Sequence, residues 1–176
     1  MRRVRYSVAS SLDGFIAGPN GEYDWIPMDP DIDFAAMFSG FDTMLMGRKS
    51  YEVAKTAGPD QMGMWKGMRV IVCSNSLNPD THPDVEIVGK DLPTFIQKLK
   101  SEPGKDIWLF GGGDLFRSLL EAGLVDQVEV GLVPVLLGHG IPMLPKMDKK
   151  VRLELASHNI YPKTGTLMLS YNVLTP

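Results

Sequence analysis

"DIWLFGGGDLFRSLLEAG", residues 106–123, runs from an apolar stretch into three consecutive glycines and then into a segment of helical spacing. "DIWLF" reads as a buried strand. Leu115, Phe116, Leu119 and Leu120 then fall on one helical stripe, and Gly123 stops that helix at a left-handed cap position. A strand leading through a short turn into a helix is the unit from which α/β sheets are built. Three adjacent glycines weaken any regular element, so the turn requires them for another reason. Two readings stand here, a tight structural turn or a bare backbone that holds a ligand. For a ligand, phosphate is the natural occupant, because the helix directs its free N–H groups at the turn. A Walker-type loop is excluded, since no Gly-Lys-Ser/Thr follows. The usual dinucleotide fingerprint is excluded too, its third glycine falling on Phe116.

Outward from this stretch the same alternation continues. Residues 4–10, 43–47, 69–74 and 85–89 read as strands. Residues 31–41 read as a helix, with Pro30, Asp31 and Asp33 at its amino end and Phe34, Phe38 and Phe41 on one stripe. "RKSYEVAKTAG", residues 48–58, reads as a short helix, and 91–101 as another with Pro93 in its first turn. "QVEVGLVPVLLG", residues 127–138, is strand-like, with Pro134 implying a bulge or an edge position. Residues 151–161 and 166–174 flank "PKTG" as a terminal antiparallel hairpin. Nothing in the 176 residues repeats or reads as a linker, so one domain over 1–176 is expected. The fold class is α/β, a mostly parallel twisted sheet with an antiparallel edge and helices on both faces.

Composition narrows the function. The chain is 44% hydrophobic and 22% charged with a net charge of −3, an ordinary globular balance. No broad basic field and no aromatic-basic interleaving point to nucleic acid. No apolar run reaches the ~18 residues a membrane span needs. Tyr6, Ser7, Ser10, Ser11 and Asp13 break up any signal-peptide core. The single cysteine, Cys73, cannot form an internal disulfide, which fits a reducing cytoplasm, the expected location. His82, His139 and His158 show no metal-ligand spacing, so no metal site is expected. No nucleophile-base pairing emerges for covalent hydrolysis.

In an open α/β sheet ligands collect beyond the carboxyl ends of the strands, and three such ends have unusual chemistry. The first is the Gly111–Gly113 turn. The second is "GRKS", residues 47–50, where Arg48 and Lys49 begin a helix. Cations there oppose the helix dipole, a cost that a bound anion reverses. A solvated basic turn is the alternative. The third is "SNS", residues 74–76, which supplies short hydroxyl and amide donors past a buried strand, though such residues are also ordinary turn formers. Together the three ends suit a ligand with several phosphates. A dinucleotide carrying a 2′-phosphate fits best, because Arg48 and Lys49 stand where an acid would favour a free ribose.

"SLDGFIAGPNG", "MGRKSYE", "VCSNS" and "LFGGGDLFRSLLEAGLVDQVEVGLVPVLLGHGIPML" occur here in the order found in dihydrofolate reductase-like proteins. The chain resembles most the stand-alone relatives of the reductase domain of the riboflavin-pathway deaminase-reductase, over nearly its whole length. The resemblance implies a three-layer α/β/α domain that binds NADPH and reduces a pterin-like or ribosylaminopyrimidine-type small molecule. Dihydrofolate reductase proper, and a nucleotide-binding module without turnover, are the alternatives. It also implies that Ala9 and Ile16 border the nicotinamide and that Gly47, Arg48, Lys49 and Ser50 hold phosphates. Ser74 and Ser76, with Asn75 between them, would meet the adenosine 2′-phosphate. Gly111, Gly112 and Gly113 would lie against the pyrophosphate, beside Asp114 and Leu115. Phe110 enters the same set, but it stands where riboflavin-pathway reductases usually carry a glutamate.

The acid that protonates the pterin in dihydrofolate reductases corresponds in position to Asp31 or Asp33, for which helix capping is the alternative. Asp13, in "SLDG", either shapes a turn or faces the substrate. "QMGMWKGM", residues 61–68, is either a wall over the site or local gap-filling. A homodimer is expected, with part of "VEVGLVPVLLG", residues 128–138, in its interface.

Overall fold

The computed structural model describes residues 1–56 and 66–174. Its elements in chain order are β1 (Val4–Ser11), β2 (Phe15–Ala17), α1 (Phe34–Ser39), β3 (Phe41–Gly47) and α2 (Arg48–Thr56). There follow β4 (Arg69–Cys73), β5 (Glu86–Val88), α3 (Leu92–Ser101), β6 (Asp106–Gly111) and α4 (Gly113–Glu121). The chain ends with β7 (Gln127–Val133), β8 (Ile141–Pro142), β9 (Arg152–Tyr161) and β10 (Thr166–Leu174). Most of the "QMGMWKGM" segment, residues 61–65, lies outside the described residues.

Eight strands form one sheet in the order β5-β4-β3-β6-β1-β7-β10-β9. The pairings from β5 to β7 are all parallel, and those of β10 with β7 and with β9 are antiparallel. This is the expected mostly parallel sheet with a terminal hairpin. The central strands are apolar on both faces because helices cover both. Leu45 of β3 faces the core that α3 and α4 build with Ile96, Leu99, Phe116 and Leu119. Its neighbours Met44 and Met46 face the opposite core, with Phe38 of α1 and Tyr51 and Ala54 of α2. Trp108 centres that second layer, 4.6 Å from the Phe38 ring and 5.8 Å from Phe41. Of the phenylalanine stripe read in the sequence as helical, Phe38 on α1 and Phe41 at the start of β3 pack against this tryptophan, while Phe34 stacks on Phe38 at 6.2 Å.

Local signals act as expected at several ends. Gly123 adopts φ +68° after α4, and its N–H reaches the Leu120 carbonyl while Leu124 N–H reaches Leu119, the paired bonds of a left-handed helix stop. α1 is shorter than its pattern predicts. It starts at Phe34, because the Asp33 carboxylate accepts the Ala36 N–H at 2.9 Å and ends the non-helical approach. β7 stops at Val133, so Pro134 terminates the strand and makes neither a bulge nor an edge. β7 itself lies inside the sheet between β1 and β10, with Val128, Val130 and Val133 buried. Its apolar length is consumed by the core and does not form an outer face. A small ribbon of β2 with β8, which sequence patterning does not reveal, closes over the end of β1. Among the described residues, no helix is long and apolar enough to cross a membrane.

Candidate active site

The topology singles out one crevice. β3 leads into α2 on one face of the sheet, while its neighbour β6 leads into α4 on the other. Two adjacent parallel strands whose following helices go to opposite faces leave an opening beyond their carboxyl ends. That opening lies between Gly47 and the glycine turn. Met46 pairs with Gly111, Gly47 pairs with Cys73, and so the ends of β6, β3 and β4 stand side by side. The three sequence segments suspected of sharing a ligand are thus brought together: Gly111–Gly113, Gly47–Ser50 and Ser74–Ser76.

The glycines have distinct roles in this arrangement. Gly111 takes φ +142°, a region that side chains disfavour, and the Gly111–Gly112 peptide is cis. A β-carbon on Gly47 would lie 3.9 Å from Gly111 O and Gly112 N, at the floor of the crevice. A β-carbon on Gly112 would lie 3.4 Å from the Ser50 hydroxyl, which places that hydroxyl over the turn. Gly113 faces elsewhere, and its missing side chain makes room for the backbone of Pro142 and Met143. Gly112 is the N-cap of α4 and provides no side-chain cap, so the first N–H groups of the helix have no side-chain partner from that residue. α2 begins at the same crevice with Arg48 and Lys49, both exposed. Among the described residues Arg48 pairs with Glu52 at 3.9 Å, an exposed contact worth little.

Across β4, the Ser74 hydroxyl accepts the N–H groups of Ser76 and Leu77 at 3.2 and 3.1 Å. It holds the loop in shape and keeps its own proton for a further acceptor, with the Ser76 hydroxyl 3.4 Å away. Ser76 and Asn75 are exposed. Cys73, beneath them, is inert at neutral pH, because burial pushes its thiol up to about 12.

On the other side of the crevice β1 parts from β6. The two pair only as far as Tyr6 and Leu109, whereas β1 continues against β7 to Ser11 and Val133. Ala9 sits on that free length, half-buried opposite Gly131, and Ile16 follows in β2. Phe110 projects to the α1 and α2 face, its ring 5.4 Å from Trp108, just before the turn. An apolar ring therefore occupies the position that corresponds, in the resemblance drawn from the sequence, to a glutamate. Asp114 is exposed at the start of α4, and Leu115 is buried beneath it.

The three candidate acids are engaged in different ways. Asp33 caps α1. Asp31 accepts from Lys163 in the β9–β10 turn at 2.8 Å, and that contact raises the lysine above its ordinary value. Asp13 is exposed but ties two loops together. It accepts the Ser11 hydroxyl at 2.6 Å and the Gly138 and Leu137 N–H groups at 2.7 and 3.1 Å. Ser11, followed by those two amides, holds the Asp13 carboxyl below the usual carboxylate range. Sequence reasoning passed over two residues here. Ser11 also accepts the Phe15 N–H at 2.9 Å. Buried Asp29 accepts the Asp31 N–H and the Thr164 hydroxyl. Their partners lie close in sequence in one case and 135 residues away in the other, and only the first leaves a sequence signal. Asp31 and Asp33 also line an open groove of about 310 Å³ between α1 and the β9–β10 hairpin, with Glu129, His158 and Met168. This groove is separate from the glycine turn.

The residues present fit a phosphate-bearing dinucleotide: a glycine floor, two helix starts, two cations and a serine loop surround one crevice. Known proteins place the chain in context. It is 33% identical to the uncharacterised Bacillus subtilis protein YyaP over 97% of this chain and 95% of that one. Among solved structures it is similar to a pyrimidine reductase-like protein from Corynebacterium diphtheriae, with a TM-score of 0.76 and 17% identity. That match covers 99% of this chain and 93% of the other. It is also similar to dihydrofolate reductase from Enterococcus faecalis, solved with NADP(H), with a TM-score of 0.71 and 18% identity over 98% and 97% of the chains. At these identities the likeness to the solved structures is one of fold, the dihydrofolate reductase-like fold. The family model described as the RibD C-terminal domain matches residues 2–165, and the chain belongs to that family.

Proposed function

We propose that this chain is an NADPH-dependent reductase that delivers hydride to a pterin-like or ribosylaminopyrimidine-type heterocycle. The observation that carries the proposal is the crevice between Gly47 and Gly111–Gly112, at the point where α2 and α4 leave the sheet on opposite faces. Membership of a family named for the riboflavin-pathway reductase domain supports the activity. The NADP(H) complex of a structure with the same fold supports the cofactor.

In this reading Gly111 and Gly112 lie under the pyrophosphate, with the Ser50 hydroxyl and the α4 N–H groups as donors. Arg48, Lys49, Ser74 and Ser76 receive the 2′-phosphate, and Ala9 and Ile16 border the nicotinamide. Hydride is the chemistry the bound cofactor supplies. The chain contributes orientation and a water-poor wall, to which Phe110 presents an apolar ring.

A second reading, a nucleotide-binding module without turnover, is favoured by the state of the acids. Asp33 caps a helix, Asp31 pairs with Lys163 and Asp13 clamps a loop. One experiment separates the readings. NADPH fluorescence titrated with protein reports binding, and absorbance at 340 nm then reports turnover across a panel of dihydrofolate and ribosylaminopyrimidines. Binding with turnover supports the reductase. Binding without turnover supports the module. No binding at saturating protein removes both.

A further inference from the structure

Glu129 stands in β7 between Val128 and Val130, both buried in the α3 and α4 core. Alternation along the strand turns Glu129 to the opposite face, toward α1. There Arg5 holds one of its oxygens, Nη2 donating to Oε1 at 2.5 Å and Nε at 3.2 Å. Arg5 is itself fixed, since its guanidinium lies 4.5 Å from the centre of the Phe41 ring and Nη1 reaches Asp106 at 3.4 Å. The second oxygen of Glu129, Oε2, is buried and, among the described residues, has no hydrogen-bond partner. A carboxylate oxygen withdrawn from water without a donor carries an uncompensated cost.

The surroundings of that carboxylate are those of a ligand site. Glu129 lines the groove of about 310 Å³ between α1 and the β9–β10 hairpin, a volume at the lower end of ligand pockets. Strand register sets Ser170 of β10 beside Glu129 and Ser157 of β9 beside Ser170, and both serines line the groove. Their hydroxyls can accept as well as donate. Asp31 and Asp33 stand on the α1 side, one paired with Lys163 and the other capping the helix through Oδ1. Three carboxylates along one groove, answered at its rim by Lys163, favour a cation and repel an anion. The rest of the wall is apolar, with Ile32, Met37 and Met168. Met168 lies across Gly131, whose β-carbon would stand 3.1 Å from its sulfur, so the bare glycine makes room for the thioether. Such a side chain adapts to the shape it encloses. Met168 is also the diagonal cross-strand neighbour of Glu129, close enough to move aside for a group that approaches the carboxylate.

We propose that this groove binds a cationic nitrogen group on a small apolar body, an amidinium or a protonated amine, whose N–H groups donate to the Glu129 carboxylate. Arg5 keeps Oε1, the ligand takes Oε2, and Ser157 and Ser170 accept a further N–H. The methionines enclose the apolar part. This site is separate from the glycine crevice and needs no nucleotide.

The test is a titration of the protein, without nucleotide, with benzamidine, benzamide and benzoate, which carry a cation, a neutral amide and an anion on one shape. Backbone amide NMR shifts report where each binds and how tightly. Benzamidine is expected to saturate with shifts at Glu129, Ser157 and Ser170, and benzoate to bind at least about tenfold more weakly, the scale of one charge-assisted bond. Glu129→Gln keeps the shape and an acceptor for Arg5 but turns an NH2 donor toward the groove, and is expected to weaken benzamidine by at least about tenfold. Ser170→Leu leaves the Arg5–Glu129 pair intact, fills the space beside it and is expected to do the same, which covers the case where the glutamine variant fails to fold. No saturable benzamidine binding, shifts that fall outside the groove, benzoate binding as tight as benzamidine, or unaltered affinity in either folded variant overturns the proposal and leaves Glu129 as the partner of Arg5 alone. NADPH titrated into separate samples tests the reductase reading, so either claim can fail while the other stands.

Discussion

A β-carbon placed on Gly113 would stand 2.7 Å from the carbonyl oxygen of Pro142, so the first turn of α4 lies against the backbone of β8. Pro145 Cδ and Met143 O would follow at 2.9 and 3.1 Å. None of these atoms belongs to a freely moving side-chain end. Gly113→Ala is therefore expected to destabilise the fold by about 1–3 kcal/mol, the usual cost of overpacking. Gly47→Ala, whose nearest neighbours would be 3.9 Å away, is expected to fold within about 0.5 kcal/mol of wild type. Under the proposed function its methyl group enters the crevice instead and is expected to weaken NADPH binding. Urea unfolding of both variants, with NADPH titration of Gly47→Ala, checks the division. Equal stabilities for the two would show that residues 142–145 give way.

Arg48 stands at the start of α2 with nearly half of its side chain in solvent and, among the described residues, an ion pair to Glu52 at 3.9 Å. Its removal should leave stability unchanged, since exposed pairs of this kind contribute little. Under the proposed function it reads the 2′-phosphate. Arg48→Ala is then expected to weaken NADPH by about tenfold, the scale of one charge-assisted hydrogen bond. NADH, which lacks that group, should lose far less. Parallel titrations with the two nucleotides give the answer, and equal losses would remove Arg48 from that role.

Asp33 distinguishes a cap from an acid. Its carboxylate accepts the Ala36 N–H at 2.9 Å, a bond that asparagine can make equally well. Asp33→Asn should hold stability, whereas Asp33→Ala should lose about 1 kcal/mol through the missing cap. If turnover survives Asp33→Asn, the proton comes from Asp31 or from water. Thermal unfolding and the rate of NADPH oxidation, measured on both variants, read the two effects separately.

The legible parts of this chain are those set by neighbours in sequence. Apolar spacing gives α3 and α4, and Gly123 announces its own left-handed conformation. "PKTG" between two extended runs gives the hairpin of β9 and β10. Strand order is another matter. β6 inserts between β3 and β1 through a connection whose periodicity reads the same for any neighbour. The meeting of the three strand ends was nevertheless predictable, because parallel strands in one sheet present their carboxyl ends on one side. Asp13 and Gly113 were harder to read. The partners of Asp13 at Leu137 and Gly138 are about 124 residues away, and those of Gly113 lie in a segment without regular pattern. Alternation in β9 likewise shows which residues share a face and is silent on whether anything covers it.

The Asp13 clamp and the Asp29 contacts give the acid limb of stability. Ser11 with the Gly138 and Leu137 amides lowers the Asp13 carboxyl, and the Asp31 N–H with the Thr164 hydroxyl lowers that of Asp29. Both have lower values folded than the ordinary 3.8, so each contributes stability that is present above 3.8. That contribution disappears as pH falls through the folded values, when the carboxylates protonate and the N–H groups lose their acceptors. Lys163 behaves in the opposite sense. Asp31 raises it above 10.5, so its contribution is complete below that pH and is lost only as pH climbs through the folded value. Stability should therefore be level across neutral pH and fall at both extremes. Asp13→Asn cannot change charge, and it should reduce the slope of the acid limb while leaving the alkaline limb intact. Hydrogen exchange at the Leu137 and Gly138 amides should quicken in the same variant at neutral pH, because asparagine accepts less strongly than a carboxylate. Unfolding temperatures between strongly acidic and neutral pH test the first claim. An acid limb of unchanged slope, or unchanged protection at those two amides, would show that the loops are held by the β2–β8 ribbon and not by Asp13.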